Sequence, residues 1–151
     1  MKVTTVKNLL VMALITLALG ANHAMARDTK HLFSIDEAFA SSAFKEKLDP
    51  KIKFIFGKQA YPQPLANRGE FVSNRKTNAF GKSDQAACEW ALLSALLSFQ
   101  DRALAEGGNA VVDIVSFYRR DEMSSETEYE CHAGAIVAGV ALKGSVVMLP
   151  R

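Results

Sequence analysis

Past its first two dozen residues this 151-residue chain has no second long apolar run, no internal repeat, no low-complexity tract and no Pro/Gly-rich linker. The missing second run excludes a bundle of membrane-crossing helices, and the missing linker leaves a single domain. Net charge is scarce too. Lys2 and Lys7 are the only charged residues of the first 26, so the formal +2 of the whole chain belongs to that segment and the remainder is neutral. A general nucleic-acid role thereby loses its main support. After residue 26 only His31 and His132 represent histidine, with no paired-ligand spacing, no G-x-S-x-G elbow and no cysteine-histidine arrangement, so hydrolytic chemistry has no legible basis. Gly81-Lys82-Ser83 looks like the tail of a phosphate-binding loop, but the position where that loop needs its earlier glycine is Lys76. It reads better as a turn and a helix cap, and no cofactor is expected.

What is present begins with an export signal. Lys2 and Lys7, an apolar run from Leu9 to Leu19 and Ala24-Met25-Ala26 form the three regions of a secretory signal peptide with an A-x-A site. The run is about half of the ~20 residues a spanning helix needs, and no cysteine follows the site to carry a lipid. The expectation is cleavage after Ala26, residues 1–26 as signal peptide, and residues 27–151 as one soluble periplasmic domain with no stable membrane anchor. In an exported chain, Cys88 and Cys131 point to a disulfide. The competing reading is a metal site of Cys88, Cys131 and His132, which is weak because neighbours in one strand point to opposite faces. Residues 27–82 carry eleven Lys/Arg against six acids and residues 83–151 five against ten, a charge split that favours the two halves attracting each other.

The chain is organised around Ser83 to Leu142. Ser83 or Asp84 caps a helix whose apolar residues, Cys88, Leu92, Leu96, Phe99 and Ala103 beside Trp90, Leu93, Leu97 and Leu104, make a broad stripe that needs a sheet beneath it. Gly107-Gly108 stops that helix. Asn109 to Tyr118 is β-branched and aromatic on both faces and reads as a central strand. After a polar turn, Glu126, Glu128 and Glu130 alternate with Thr127, Tyr129 and Cys131, which puts the glutamates outward and Cys131 inward. Ala133 to Leu142 is expected to continue that strand, with Gly134 and Gly139 marking a bulge or close approach.

Upstream, Ser34-Ile35-Asp36-Glu37 fits a capping box, so a short helix is expected from Ile35 to about Leu48, ended by Asp49-Pro50. Phe33, Phe39 and Phe44 give it an apolar side. Lys51 to Phe56 alternates as a strand with Ile52, Phe54 and Phe56 inward. Gly57 to Gly69, with Tyr61-Pro62-Gln63-Pro64, reads as a surface connector, and Glu70 to Asn78 as a weaker strand. The expected fold is α+β, a small and mainly antiparallel sheet backed by one long helix, with a short N-terminal helix.

Two features invite a functional reading. Asp113 lies inside an apolar strand, where a buried carboxylate with a raised pKa would serve as a general base; facing solvent or capping an amide is the plainer role, and the preferred one. Glu126, Glu128 and Glu130 are the candidate partner-binding residues, able to meet a basic partner or a divalent cation. The plainer account is a solvated strand face whose like charges block edge pairing.

Gly107-Gly108-Asn109-Ala110-Val111-Val112 after an amphipathic helix, followed by Gly134-Ala135-Ile136-Val137-Ala138-Gly139-Val140-Ala141-Leu142, resembles the C-terminal core of RcsF-type envelope-stress lipoproteins and the small YbjQ-type domains. The resemblance implies an α+β fold with a helix-to-strand disulfide, a role met by Cys88 and Cys131, and it supplies no catalytic residues. The family's second cysteine pair and lipid-bearing cysteine are missing here. The functional expectation is a non-enzymatic periplasmic protein that binds an envelope protein partner, in stress sensing or assembly, with a small-ligand or metal-binding protein as the alternative and no oligomeric state implied.

Overall fold

The computed structural model describes residues 26–151, so the expected signal segment lies almost wholly outside the described residues. Within them the order is β1 (Thr29–Ser34), α1 (Ile35–Ala40), α2 (Ser42–Lys47), β2 (Lys53–Phe56), β3 (Ala66–Asn78), α3 (Asp84–Ala105), β4 (Ala110–Ser116), a 3-10 turn (Tyr118–Arg120), β5 (Glu128–Ala133) and β6 (Val137–Met148). The fold is α+β, with one mixed six-stranded sheet against one long helix.

β6 is the strand on which the sheet is assembled. Its whole length pairs with β3 along one edge. The other edge is shared: β5 takes the start, through His132–Gly139 and Ala133–Ala138, and β4 takes the end, from Leu142 to Val147. β1 extends β5 antiparallel, and β2 extends β4 as the one parallel pair. The sheet therefore forks beside Ala141, and Ser116 closes the fork: its buried hydroxyl accepts the Glu130 N–H at 2.9 Å, while Phe117 N–H donates to Ala141 O at 2.8 Å. A buried backbone donor left unpaired there would cost about 1–3 kcal/mol.

α3 starts where the sequence predicts. Ser83 Oγ accepts the Ala86 N–H at 3.1 Å, and Ala87, Cys88, Ala91, Leu92, Leu96, Phe99 and Ala103 are buried against β3, β5 and β6. Trp90 and Leu104, predicted to share the buried stripe, are 44% and 55% exposed, because the small residues of the helix bring it close to the sheet and leave its flanks in water. Cys88 and Cys131 are joined, tying α3 to β5.

The structure also corrects the boundaries and number of several elements. The N-terminal helix is two short helices, broken at Ser41, whose backbone is extended. In one continuous helix Phe39 and Phe44 would lie about 140° apart. The break lets their rings meet at 5.4 Å and lets Phe39 reach Phe54 and Phe56, each at 6.3 Å. The segment from Glu128 to Leu142 is not one strand but a hairpin turning at Gly134–Ile136, and the close approach at Gly134 comes from the Arg27 carbonyl, 2.8 Å from where a Cβ would sit. Phe33 belongs to β1, a strand not foreseen, and β3 runs to 13 residues because a full-length partner, β6, stabilises a sequence of low strand propensity. β4 is interior as expected, and it ends at Ser116 rather than Tyr118.

Candidate partner-binding face

The face of β1 and β5 turned away from α3 carries Lys30, Leu32 and Ser34 opposite His132, Glu130 and Glu128. The alternation read from the sequence holds here: Tyr129 and Cys131 point inward, both fully buried, and Glu128 points out. Glu126 does not belong to that strip. It sits in a bend before β5, where Ser125 Oγ accepts the N–H groups of Thr127 and Glu128 at 3.2 and 3.0 Å and turns the chain into the strand. Thr127, expected inward, is exposed for the same reason. The bend is pinned from below by Gly57, whose missing side chain leaves room for the Ser125 carbonyl group 2.8 Å from the Cβ position.

Glu130 is the main correction. It is 8% exposed and outward, because the loop after β4 folds over it. Lys30 Nζ lies 2.8 Å from Glu130 Oε2, and His132 Nε2 lies 2.7 Å from its Oε1. Burial alone would raise the Glu130 carboxyl, but the hydrogen bonds from Lys30 and His132 outweigh it, and the pKa lies below the ordinary value. The other nitrogen of His132, Nδ1, lies 3.1 Å from Asp28 Oδ1. A neutral imidazole has one N–H and satisfies one of these carboxylates, whereas an imidazolium donates to both. Tyr118 stacks on the His132 ring at 3.4 Å and donates its hydroxyl hydrogen to Asp28 Oδ2 at 2.8 Å. That bond, more than those from His132 and Arg119, holds the Asp28 carboxyl below its usual range.

The loop that makes this cover is held in an unusual backbone. Arg119 and Arg120 both have left-handed φ, 51° and 71°, and both side chains reach solvent. Left-handed geometry at a non-glycine costs about 1–2 kcal/mol per residue. Tyr118 stacking and Arg119 bonding to Asp28 at 3.4 Å offset that cost. Glu126 and Glu128 thus stand free of ion pairs among the described residues, Glu128 at the start of the strand that carries Glu130 and His132 and Glu126 in the bend before it. That Asp28 and Lys30 would meet Glu130 and His132 could not be found from sequence spacing, since Asp28 and His132 are 104 residues apart.

Asp113 is exposed at a bulge in β4, with φ 52°, and accepts a hydrogen bond from the Tyr61 hydroxyl at 2.8 Å. That bond raises the Tyr61 pKa and fastens the connector over Ala110, Val112, Val147 and Leu149 on the outer face. The role of Asp113 is thus the plainer of its two readings. Cys88 and Cys131 spend both sulfurs on each other, so the three-ligand site with His132 does not form. Compared with models of known protein families, with curated proteins and with solved structures, the chain matches none.

Proposed function

We propose that the protein is an exported, non-enzymatic domain of the cell envelope that binds a partner protein through the face around Glu126 and Glu128, and that its relatives are the RcsF-type and YbjQ-type domains. The observation that carries the reading is the Cys88–Cys131 bond, which suits an oxidising compartment and agrees with the A-x-A site upstream. A helix-to-strand disulfide also accords with the resemblance. The partner-binding half is supported by exposed carboxylates at Glu126 and Glu128 that make no ion pair among the described residues, where charge steers encounter more than it stabilises. Glu130, paired with Lys30 and His132, supports the fold there instead of touching the partner.

Crosslinking in cells tests this. Glu126→Gln with Glu128→Gln should leave the melting temperature nearly unchanged and weaken partner capture, and added salt should weaken the wild-type complex in the same way. Glu130→Gln should do the reverse, lowering the melting temperature first. Capture by the double variant that equals wild type at every salt concentration would reduce the two acids to a solvated edge.

A further inference from the structure

β3 is an edge strand among the described residues, paired with β6 on one side only. Ala79 N–H donates to Ile136 O at 2.7 Å, so Ala79 faces β6, and by the antiparallel alternation so do Thr77, Arg75, Ser73 and Phe71. Phe117 N–H to Ala141 O and Asn109 N–H to Val147 O confirm the phase, because these β6 residues must then face away from β3. The N–H and C=O groups of Glu70, Val72, Asn74 and Lys76 therefore point off the sheet into solvent, and all four residues are exposed. Beyond them Lys82 Nζ occupies Asn78 O, and the bulge at Asn67–Gly69 ends the regular edge on the other side.

We propose that a second copy of this chain pairs with this edge, β3 against β3, antiparallel about a two-fold axis at Ser73. The open segment is complementary to itself in that register. Glu70 of one copy stands opposite Lys76 of the other, twice, and Val72 stands opposite Asn74. Every outward N–H and C=O from Glu70 to Lys76 then faces a partner, because residues 70, 72, 74 and 76 pair only among themselves, with the Asn74 carbonyl exchanging its long 3.5 Å contact from Arg75 Nη1 for a backbone N–H. On the helix side Phe71, whose ring lies under Arg102 of its own copy at 4.7 Å, stands opposite Arg75 of the other, itself held to Ser98 Oγ at 2.8 Å. At the axis α3 carries small residues, with Ser73 Oγ donating to Ala95 O at 3.0 Å and Ser98 beside it.

Neighbouring registers lose this match. Centring on Val72 sets Lys76 against Arg68, and centring on Asn74 sets Lys76 against Val72 and Glu70 against Asn78, whose carbonyl is taken. Charges that discourage indiscriminate edge pairing thus select one pairing. This edge is separate from the face around Glu126 and Glu128, which lies across β6 on the other arm of the sheet.

Sedimentation equilibrium on the protein recovered from cells tests it, and a concentration-dependent dimer is expected. Val72→Pro removes an outward N–H and leaves the β6 ladder whole, so it should stay folded and be monomeric. Glu70→Lys and Lys76→Glu, tested singly, should each raise the dimer dissociation constant at least about tenfold, since each turns two attractions into two repulsions. The double variant should restore the dimer. A monomer at all concentrations, a dimer indifferent to these changes, or a double variant no better than the singles overturns the proposal. So does a crosslink from Val72 or Asn74 to an extended segment of another protein or to residues 1–25.

Discussion

Asp84 stands in the first turn of α3 and ties the start of the described chain to that helix. Arg27 donates two hydrogen bonds to it at 2.8 Å, and His31 Nε2 lies 2.8 Å from the same carboxylate. The Arg27 bonds above all, then His31, hold the carboxyl down to about 2, against an ordinary 3.8. A carboxyl with a depressed folded pKa contributes stability that is fully present above its unfolded value and is lost as pH falls through the folded one. Acidification from about pH 5 to about pH 2 should therefore lower the wild-type melting temperature, and Asp84→Asn should start lower at neutral pH and fall less, so the two curves converge. Parallel curves in a pH series of thermal melts would show that Asp84 carries none of the acid sensitivity. At this scale the sequence was legible only where partners are close in the chain. The Ser83 cap and the Ser34 bond to Glu37 N follow from local spacing. Arg27 and Asp84 are 57 residues apart, and no periodicity announces such a pair.

Each element was legible in proportion to how far its own sequence decides its shape. α3 closes with Gly107 N–H on Leu104 O and Gly108 N–H on Ala103 O, the paired bonds of a Schellman end, which two glycines in a row foretell. Those glycines act for different reasons. Gly107 needs its φ of 69° and has open space around it, whereas a Cβ on Gly108 would lie 2.5 Å from Val146 Cγ1 and 2.9 Å from Val147 O. Gly107→Asn should cost less than about 1 kcal/mol, because asparagine tolerates the left-handed region. Gly108→Ala should cost about 1–3 kcal/mol by overpacking against β6. Equal urea midpoints for the two variants would contradict this account. Where tertiary contacts decide, local reading fell short. The break at Ser41 answers to Phe54 and Phe56, and the turn at Gly134 to Arg27, each distant in sequence.

In the whole molecule the fork at β6 divides the sheet into unequal parts. β2, β4, β6 and β3 form a continuous ladder under α3, while β1 and β5 join it through His132–Gly139 and Ala133–Ala138, the Ser116–Glu130 bond, the Arg27 and His31 contacts to Asp84, and the disulfide. Closing a 43-residue separation stabilises by about 4 kcal/mol on the chain-entropy account, more than any one of the other ties. The β1–β5 arm is therefore the unit whose order depends on Cys88–Cys131, and stability need not be lost evenly when that bond is cut. Reduction, or Cys88→Ser, should raise deuterium uptake first in residues 29–34 and 128–133, with residues 110–116 and 137–148 following only near global unfolding. Glu130 and His132 lie on the arm, so the region around Glu126 and Glu128 should lose its order in reducing conditions while α3 keeps its helical signal. A uniform rise in uptake across all strands would mean that the disulfide stabilises the domain as a single cooperative unit and that the fork does not divide it.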